Sequence, residues 1–221
     1  MVAWDKVETV LLDMDGTLLD LYFDNHFWLE HLPLRYAEQH ALELPKAREQ
    51  LMQHMQRIEG TIDWYCLDYW SEALQLDIPV LKREVSHLIG FRPKAETFLE
   101  ALGQAGKRRV LVTNAHRDSL AIKLERTNLA AYLDGVVSSH DVRLPKENVV
   151  FWSAMQQAEA FDPETAVLID DTSRVLRAAR DYGIRHLFGV AQPDSRQQAR
   201  AREEFDLIEC FDQVMPAICQ T

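Results

Sequence analysis

The stretch LLDMDGTLLD, residues 11–20, decides how the rest of the chain is read. An apolar run closes on two aspartates two apart, Asp13 and Asp15, and then on Gly16 and Thr17. A buried strand that ends this way places like charges side by side and partly out of water. Both are costly unless something compensates. A cation is the first candidate.

Working outward, the same kind of apolar run recurs. VETVLLDMD (7–15), RRVLVTNA (108–115), GVVSSH (135–140), TAVLIDD (165–171) and RHLFGV (185–190) all read as buried strands. Helical patterns separate the later ones: residues 94–106, 117–129, 148–161 and 172–183, the last closing on Gly183. Strands alternating with helices predict a doubly wound parallel sheet covered on both faces, an α/β fold. Residues ~20–90 break the alternation. YFDNHFWLEHL, PKAREQLMQHMQRIEG (with Pro45 at its start) and DWYCLDYWSEAL read as helices, and no strand is evident. A helical insert therefore follows the first strand, with residues 1–18 and 92–221 as the core and 19–91 as the insert. It carries Trp28, Trp64 and Trp70, three of the five tryptophans.

Composition narrows the function. A net charge of −11 argues against sequence-independent binding to a nucleic acid polymer, which leans on a basic face. The one basic cluster, Lys107 to Arg109, reads as a solvated loop before a strand. No apolar stretch approaches the ~20 residues of a membrane span. Cys66, Cys210 and Cys219 form no C-x-x-C pair and are odd in number, which fits a reducing compartment. With no signal-peptide core in MVAWDKVETV, a cytoplasmic protein is expected, with no obligate protein partner evident.

The strand ends share a theme. Asp13 and Asp15 end the first, Thr113 and Asn114 the second, Asp170 and Asp171 the fourth, and Lys146 stands in RLPKEN before the third long helix. Parallel sheets bind ligands beyond the carboxyl ends of their strands. Four carboxylates there call for a hard divalent cation, and Mg²⁺ suits one or two carboxylates plus a substrate phosphate. A carboxylate nucleophile can take a phosphoryl group, and a second acid can protonate the leaving alcohol and then activate water. Thr113, Asn114 and the backbone N–H groups near Met14 and Asp15 are candidates to hold the phosphate oxygens.

DMDGT, VTN, Lys146 and LIDD, in this order on this strand pattern, resemble the four motifs of the haloacid dehalogenase-like (HAD) phosphohydrolases. The resemblance implies Asp13 as nucleophile and Asp15 as general acid/base. It also implies Mg²⁺ held by Asp13, the Asp15 carbonyl and Asp170 with Asp171 in support, phosphate bound by Thr113 and Lys146, and residues 19–91 as a cap. Many family members carry proline after the motif lysine, whereas here Pro145 precedes it and Glu147 follows. LLDMDGTLLDLYFDNHFW, WYCLDYWSEAL, TNAH and GVAQPDS further resemble the bacterial GMP/IMP 5′-nucleotidase branch, which implies purine mononucleotides as substrates. In the cap, Trp64, Tyr65 and Tyr69 offer aromatic faces to a base, and Asp68 a carboxylate to a guanine N–H. The alternatives are a phosphatase for a sugar phosphate or phosphoglycolate, a sugar-phosphate mutase, a metal-free dehalogenase, and a non-catalytic module that binds a phosphorylated ligand.

Overall fold

The computed structural model describes residues 2–201 and 204–216. Cys219 lies outside them. Six parallel strands form one sheet in the order β3-β2-β1-β4-β5-β6: β1 (Thr9–Leu12), β2 (Arg108–Thr113), β3 (Gly135–Ser138), β4 (Ala166–Ile169), β5 (His186–Val190) and β6 (Asp206–Ile208). The order reverses at β1, the first strand, which sits centrally. The expected α/β parallel fold is present. β6 was not anticipated, because three residues, DLI, carry too little periodicity to announce a strand.

Among the described residues ten α-helices connect these strands. Five of them lie within residues 19–91: α1 (Tyr22–His26), α2 (Leu32–His40), α3 (Leu44–Ile58), α4 (Leu67–Leu74) and α5 (Ile78–Glu84). The others are α6 (Ala95–Gln104), α7 (Arg117–Thr127), α8 (Ser139–Val142), α9 (Val149–Ala158) and α10 (Ser173–Tyr182).

Alternation along the strands explains the two-faced core. Val10 and Leu12 pack with Phe98, Leu99 and Leu102 of α6, whereas Leu11 packs with Phe151, Trp152 and Met155 of α9 and Val175 and Leu176 of α10. The apolar face of α6 repeats at Ala95, Phe98, Leu99 and Leu102, the helical period. The C-terminal end of α10 is fixed by Gly183 at φ +116°, where its N–H donates to the carbonyls of Ala179 and Arg180. The first-face core continues into the helical segment through Phe23, Phe27, Leu67, Trp70 and Leu74.

Residues 22–40 form one helical run with a wide turn in it. Phe27–His31 is π-helical, and the Leu32 N–H donates to the Phe27 carbonyl five residues back. Pro33 explains the widening. It has no N–H to give to the previous turn and its ring crowds that turn's carbonyl, and an extra residue relieves both. No helix among the described residues is long and apolar enough to cross a membrane.

Trp152 ties the second-face core to the strand edge. It is fully buried, and its indole N–H donates to the Lys146 carbonyl at 3.0 Å. Trp152→Phe keeps most of the ring but leaves that buried carbonyl unpaired. It should lower the unfolding free energy in urea by about 1–3 kcal/mol. An unchanged midpoint would show that the bond contributes nothing.

Candidate active site

The strand register lines up the acids. Leu12 pairs with Leu111 on one side and Ile169 on the other, so the residues that follow, Asp13, Val112 and Asp170, stand at one level across three strands. The Asp13 N–H extends the ladder by donating to the Ile169 carbonyl. Into this row comes the Lys146 ammonium. It donates to Asp13 Oδ1 at 2.6 Å, Asp170 Oδ2 at 2.7 Å and the Val112 carbonyl at 3.0 Å. All three side chains are buried. Burial works against the charge of Lys146, but Asp13 and Asp170 outweigh it and hold the ammonium firmly protonated.

One ammonium does not satisfy the cluster. Asp13, Asp170 and Asp171 each bring a carboxylate oxygen within 4.8 Å of the others. Asp13 Oδ2 is buried and has no hydrogen-bond partner among the described residues. Burial, with Asp170 adding and Lys146 opposing, pushes the Asp13 carboxyl up to about 6. Burial, with Asp13 and Asp170 adding, holds the Asp171 carboxyl well above the usual range. Thr172 partly anchors the pair: its N–H donates to Asp170 Oδ1 and its hydroxyl to Asp171 Oδ1. Gly16, at φ +83°, leaves the room for this approach. A Cβ there would stand 2.8 Å from Asp171 Oδ2 and 2.9 Å from Pro193. An unpartnered buried oxygen among three hard donors suits a hard divalent cation.

Asp15 points elsewhere. Its Oδ1 meets the Lys123 ammonium of α7 at 2.6 Å as an ion pair, off the hydrogen-bonding direction. Lys123 also donates to Asp24 Oδ2 at 2.7 Å, and Asp24 Oδ1 accepts from Lys82 at 2.8 Å. The chain Asp15–Lys123–Asp24–Lys82 thus runs from the sheet edge into the helical segment. Burial pushes the Asp15 carboxyl up to about 6 against the pull of Lys123. For Asp24 burial pushes the same way, but two lysines overcome it and hold the carboxyl down at about 2. The Lys82 ammonium also lies 4.6 Å from the Phe27 ring centroid and 4.8 Å from that of Phe23.

A third set of contacts links the same two parts of the chain. Asn114 Oδ1 accepts from the Lys146 N–H at 2.9 Å, and its Nδ2 donates to Glu147 Oε2 at 3.0 Å. Glu147 Oε1 accepts from the Tyr65 hydroxyl at 2.6 Å. Burial, with the neighbouring Glu147 carboxylate adding, raises the Tyr65 phenol, so it stays a donor. Glu147 therefore braces the lysine loop.

These elements enclose a cavity of about 550 Å³. Asp13, Asp15, Thr113, Asn114, Lys146 and Asp171 lie at its base, and Trp28, Leu29, Met52, Met55, Trp64 and Trp70 line it farther out. Several expected contacts fall differently. Asn114 lines the cavity, but its side-chain amide is taken up by Lys146 and Glu147 rather than left for a phosphate. The Met14 side chain is fully buried in the core. Only its backbone remains for a ligand, and among the described residues the Met14 and Asp15 N–H groups have no acceptor. Asp68, expected to accept from a guanine N–H, lies outside the cavity lining. On α4, Leu67, Trp70 and Leu74 face inward, and Asp68 is turned away with its side chain 80% exposed beside His116. Helix α7 is capped by His116 rather than by Thr113 or Asn114. Thr113 Oγ1 accepts from the Ala115 N–H at 3.0 Å, which leaves its own proton to donate.

Lys123, Asp24 and Lys82 were missed in the sequence. The available signal was a lysine on the buried side of a helix: Lys123 follows buried Leu120 and Ile122, and Lys82 follows buried Ile78 and Leu81. A lysine on an apolar face needs a buried partner.

Comparison with known proteins agrees with this geometry. Residues 10–188 match the family model described as haloacid dehalogenase-like hydrolase. The GMP/IMP nucleotidase YrfG of Escherichia coli (strain K12) is 41% identical over 217 residues, 98% of each chain. A phosphorylated carbohydrates phosphatase of Thermotoga maritima is 24% identical over 197 residues, 83% of this chain and 85% of its own. The crystal structure of an HAD phosphatase from Thermococcus onnurineus superposes with a TM-score of 0.78 at 19% identity, covering 94% of this chain and 96% of that one, a likeness of fold. With most of its length matched by the family model and nearly all of it by a 41% identical relative, the chain belongs to the haloacid dehalogenase-like hydrolases.

Proposed function

We propose that the protein is a Mg²⁺-dependent phosphomonoesterase that dephosphorylates purine 5′-mononucleotides such as GMP and IMP. The observation that carries the reading is the pairing of one cavity's two ends. At the base is a row of buried carboxylates around Lys146 with one oxygen unpartnered. Farther out is a wall of Trp28, Leu29, Met52, Met55, Trp64 and Trp70. A phosphate suits the first and a flat base the second. A sugar phosphate alone would leave the aromatic wall unused, so the carbohydrate phosphatase reading is the weaker one. The resemblance to YrfG supports the same substrate class.

In this reading residues 1–18 and 92–221 form the core and 19–91 the cap. Asp13 attacks phosphorus and the ester oxygen leaves, giving an aspartyl-phosphate. Asp15 protonates the departing alkoxide and then takes a proton from the water that attacks phosphorus and frees Asp13. A carboxyl pushed up to about 6 can hold a proton and give it up near neutral pH. Lys123 aims this carboxyl and keeps it off the Asp13 side of the cluster. The Thr113 hydroxyl and the Met14 and Asp15 N–H groups serve as donors to the phosphoryl oxygens, and the Lys146 ammonium, its protons held by Asp13, Asp170 and the Val112 carbonyl, offsets their charge from beside Asp13. Asp13, the Asp15 carbonyl and Asp170 would hold Mg²⁺, with Asp171 in support. The ion supplies charge neutralisation for the acids and the phosphoryl group.

Three outcomes test this. Asp13→Asn should lower kcat for GMP hydrolysis by at least about 10³-fold while the fold survives. Full turnover by that variant would remove Asp13 as nucleophile. In a panel with AMP, UMP, phosphoglycolate and sugar phosphates, kcat/KM for GMP and IMP should lead, and a lead for a sugar phosphate would restore the other phosphatase reading. The third outcome concerns pH. A carboxyl whose folded pKa is raised keeps its proton longer in the folded chain than in the unfolded one. Asp13 and Asp15, at about 6 against an ordinary 3.8, therefore cost the metal-free protein stability as pH rises between those values, and the cost persists above. Mg²⁺ held by the ionised Asp13 carboxylate removes the Asp13 share of that cost. The Mg²⁺-induced rise in Tm should be larger at about pH 7.5 than at about pH 5. An equal or reversed shift would contradict the assignment of the metal to these acids.

A further inference from the structure

We propose that Cys66, His116 and His140 form a second metal site, built for Zn²⁺ or a similarly thiophilic divalent ion and separate from the carboxylate cluster. The three donors come from distant parts of the chain. Cys66 flanks α4 in the helical segment, His116 caps α7 after β2, and His140 lies in α8 after β3. The fold nonetheless brings a ligand atom of each within 4.8 Å of the others. The two imidazoles stand nearly perpendicular, with ring centroids 4.9 Å apart, so they do not stack face to face.

The donors are poorly satisfied without an ion. His140 Nε2 is buried and has no hydrogen-bond partner among the described residues. Leaving such a nitrogen unpaired is a cost that coordination removes. Cys66 is a free thiol, half-buried, with no disulfide. A carboxylate also stands behind one ring: Asp118 Oδ2 is 3.6 Å from His116 Nδ1. On the other side Asp68 Oδ2, exposed and 3.5 Å from His116 Nε2, is within reach as a further oxygen ligand.

The donor set decides the ion. One thiolate and two imidazoles select Zn²⁺ or its softer neighbours and not Mg²⁺, whereas the Asp13, Asp170 and Asp171 oxygens do the reverse. Binding displaces the Cys66 proton and leaves a thiolate on the metal. Position gives the site a consequence. Cys66 belongs to the helical segment and the histidines to the sheet's carboxyl edge, and His116 lines the substrate cavity. An ion held by all three pins the segment against the sheet at the cavity wall. Occupancy therefore slows a turnover that needs the cavity to open for product release.

The test uses the full chain under reducing conditions with saturating Mg²⁺. Zn²⁺ is titrated in competition with a chromophoric chelator, and Co²⁺ is added in parallel to read the thiolate-to-metal charge-transfer band. The expected result is one Zn²⁺ per chain and a cobalt–thiolate band, both retained in Asp13→Asn and Cys210→Ser. In Cys66→Ser and in His140→Ala the band should be lost and Zn²⁺ affinity should fall at least about 10-fold, as expected when a ligand or its support is removed. Alkylation of Cys66, followed by peptide mass spectrometry, should slow when Zn²⁺ is present. This readout needs no variant to fold. Zn²⁺ binding unchanged in Cys66→Ser, binding lost in Asp13→Asn, or Cys66 alkylated equally with and without Zn²⁺ would overturn the site. Separately, wild-type turnover undiminished at one bound Zn²⁺ would overturn its effect on the cavity.

Discussion

The Lys146 ammonium is the contact on which the site depends. It stands 2.6 Å from Asp13 and 2.7 Å from Asp170, on adjacent central strands, and also takes the Val112 carbonyl from the strand on the other side. Two buried carboxylates side by side repel, and burial and Asp170 push the Asp13 carboxyl up to about 6 even with Lys146 opposing them. A cation between them makes the parallel row tolerable. The price is a lysine tethered from a loop, and the loop is braced accordingly. Asn114 holds the Lys146 N–H, Trp152 holds its carbonyl, and Glu147 ties the next residue to Tyr65.

The second acid is handled by a separate set of charges. Asp15 is turned away from the Lys146 row by Lys123, which also binds Asp24, and Asp24 in turn satisfies Lys82. Each buried charge has an opposite neighbour, and the chain alternates in sign from the sheet edge into the helical segment. Removing one member would leave another buried and unpaired, which costs more than the pair contributes. This arrangement gives the two aspartates of one short motif separate partners: Asp13 pairs with Lys146 beside Asp170 and Asp171, and Asp15 pairs with Lys123 beside Asp24. The helical segment is tied to the rest of the chain by the Asp24–Lys123 pair on one side and by the Tyr65–Glu147 hydrogen bond on the other.

Much of this was legible in the sequence because it rests on short-range patterns. Buried parallel strands read as apolar runs, and DMDGT, VTN and LIDD mark their carboxyl ends, so the sheet and the gathering of Asp13, Thr113 and Asp170 at one edge followed. Gly183 as a helix terminator needs only local chemistry. What escaped depends on distance in sequence. The Asp15–Lys123–Asp24–Lys82 chain joins residues up to 108 positions apart, from 15 to 123, and no local pattern announces a partner. Asp68 was misplaced for the converse reason. Its type suits a guanine edge, but the phase of α4, set by Leu67, Trp70 and Leu74, turns it outward. Asn114 was expected to serve the phosphate, and the unusual Glu147 claims its amide instead. The wide turn before Pro33 and the three-residue β6 were too local or too short to read.

The proposed reaction passes the phosphoryl group through Asp13. An acid quench of the enzyme during turnover of GMP labelled in its phosphate, followed by peptide mapping, tests this. One hydroxylamine-sensitive phosphoryl group is expected on the peptide containing Asp13, formed and lost fast enough to sustain turnover. Turnover with the label on a different residue, or with no labelled peptide at any quench time, would contradict it.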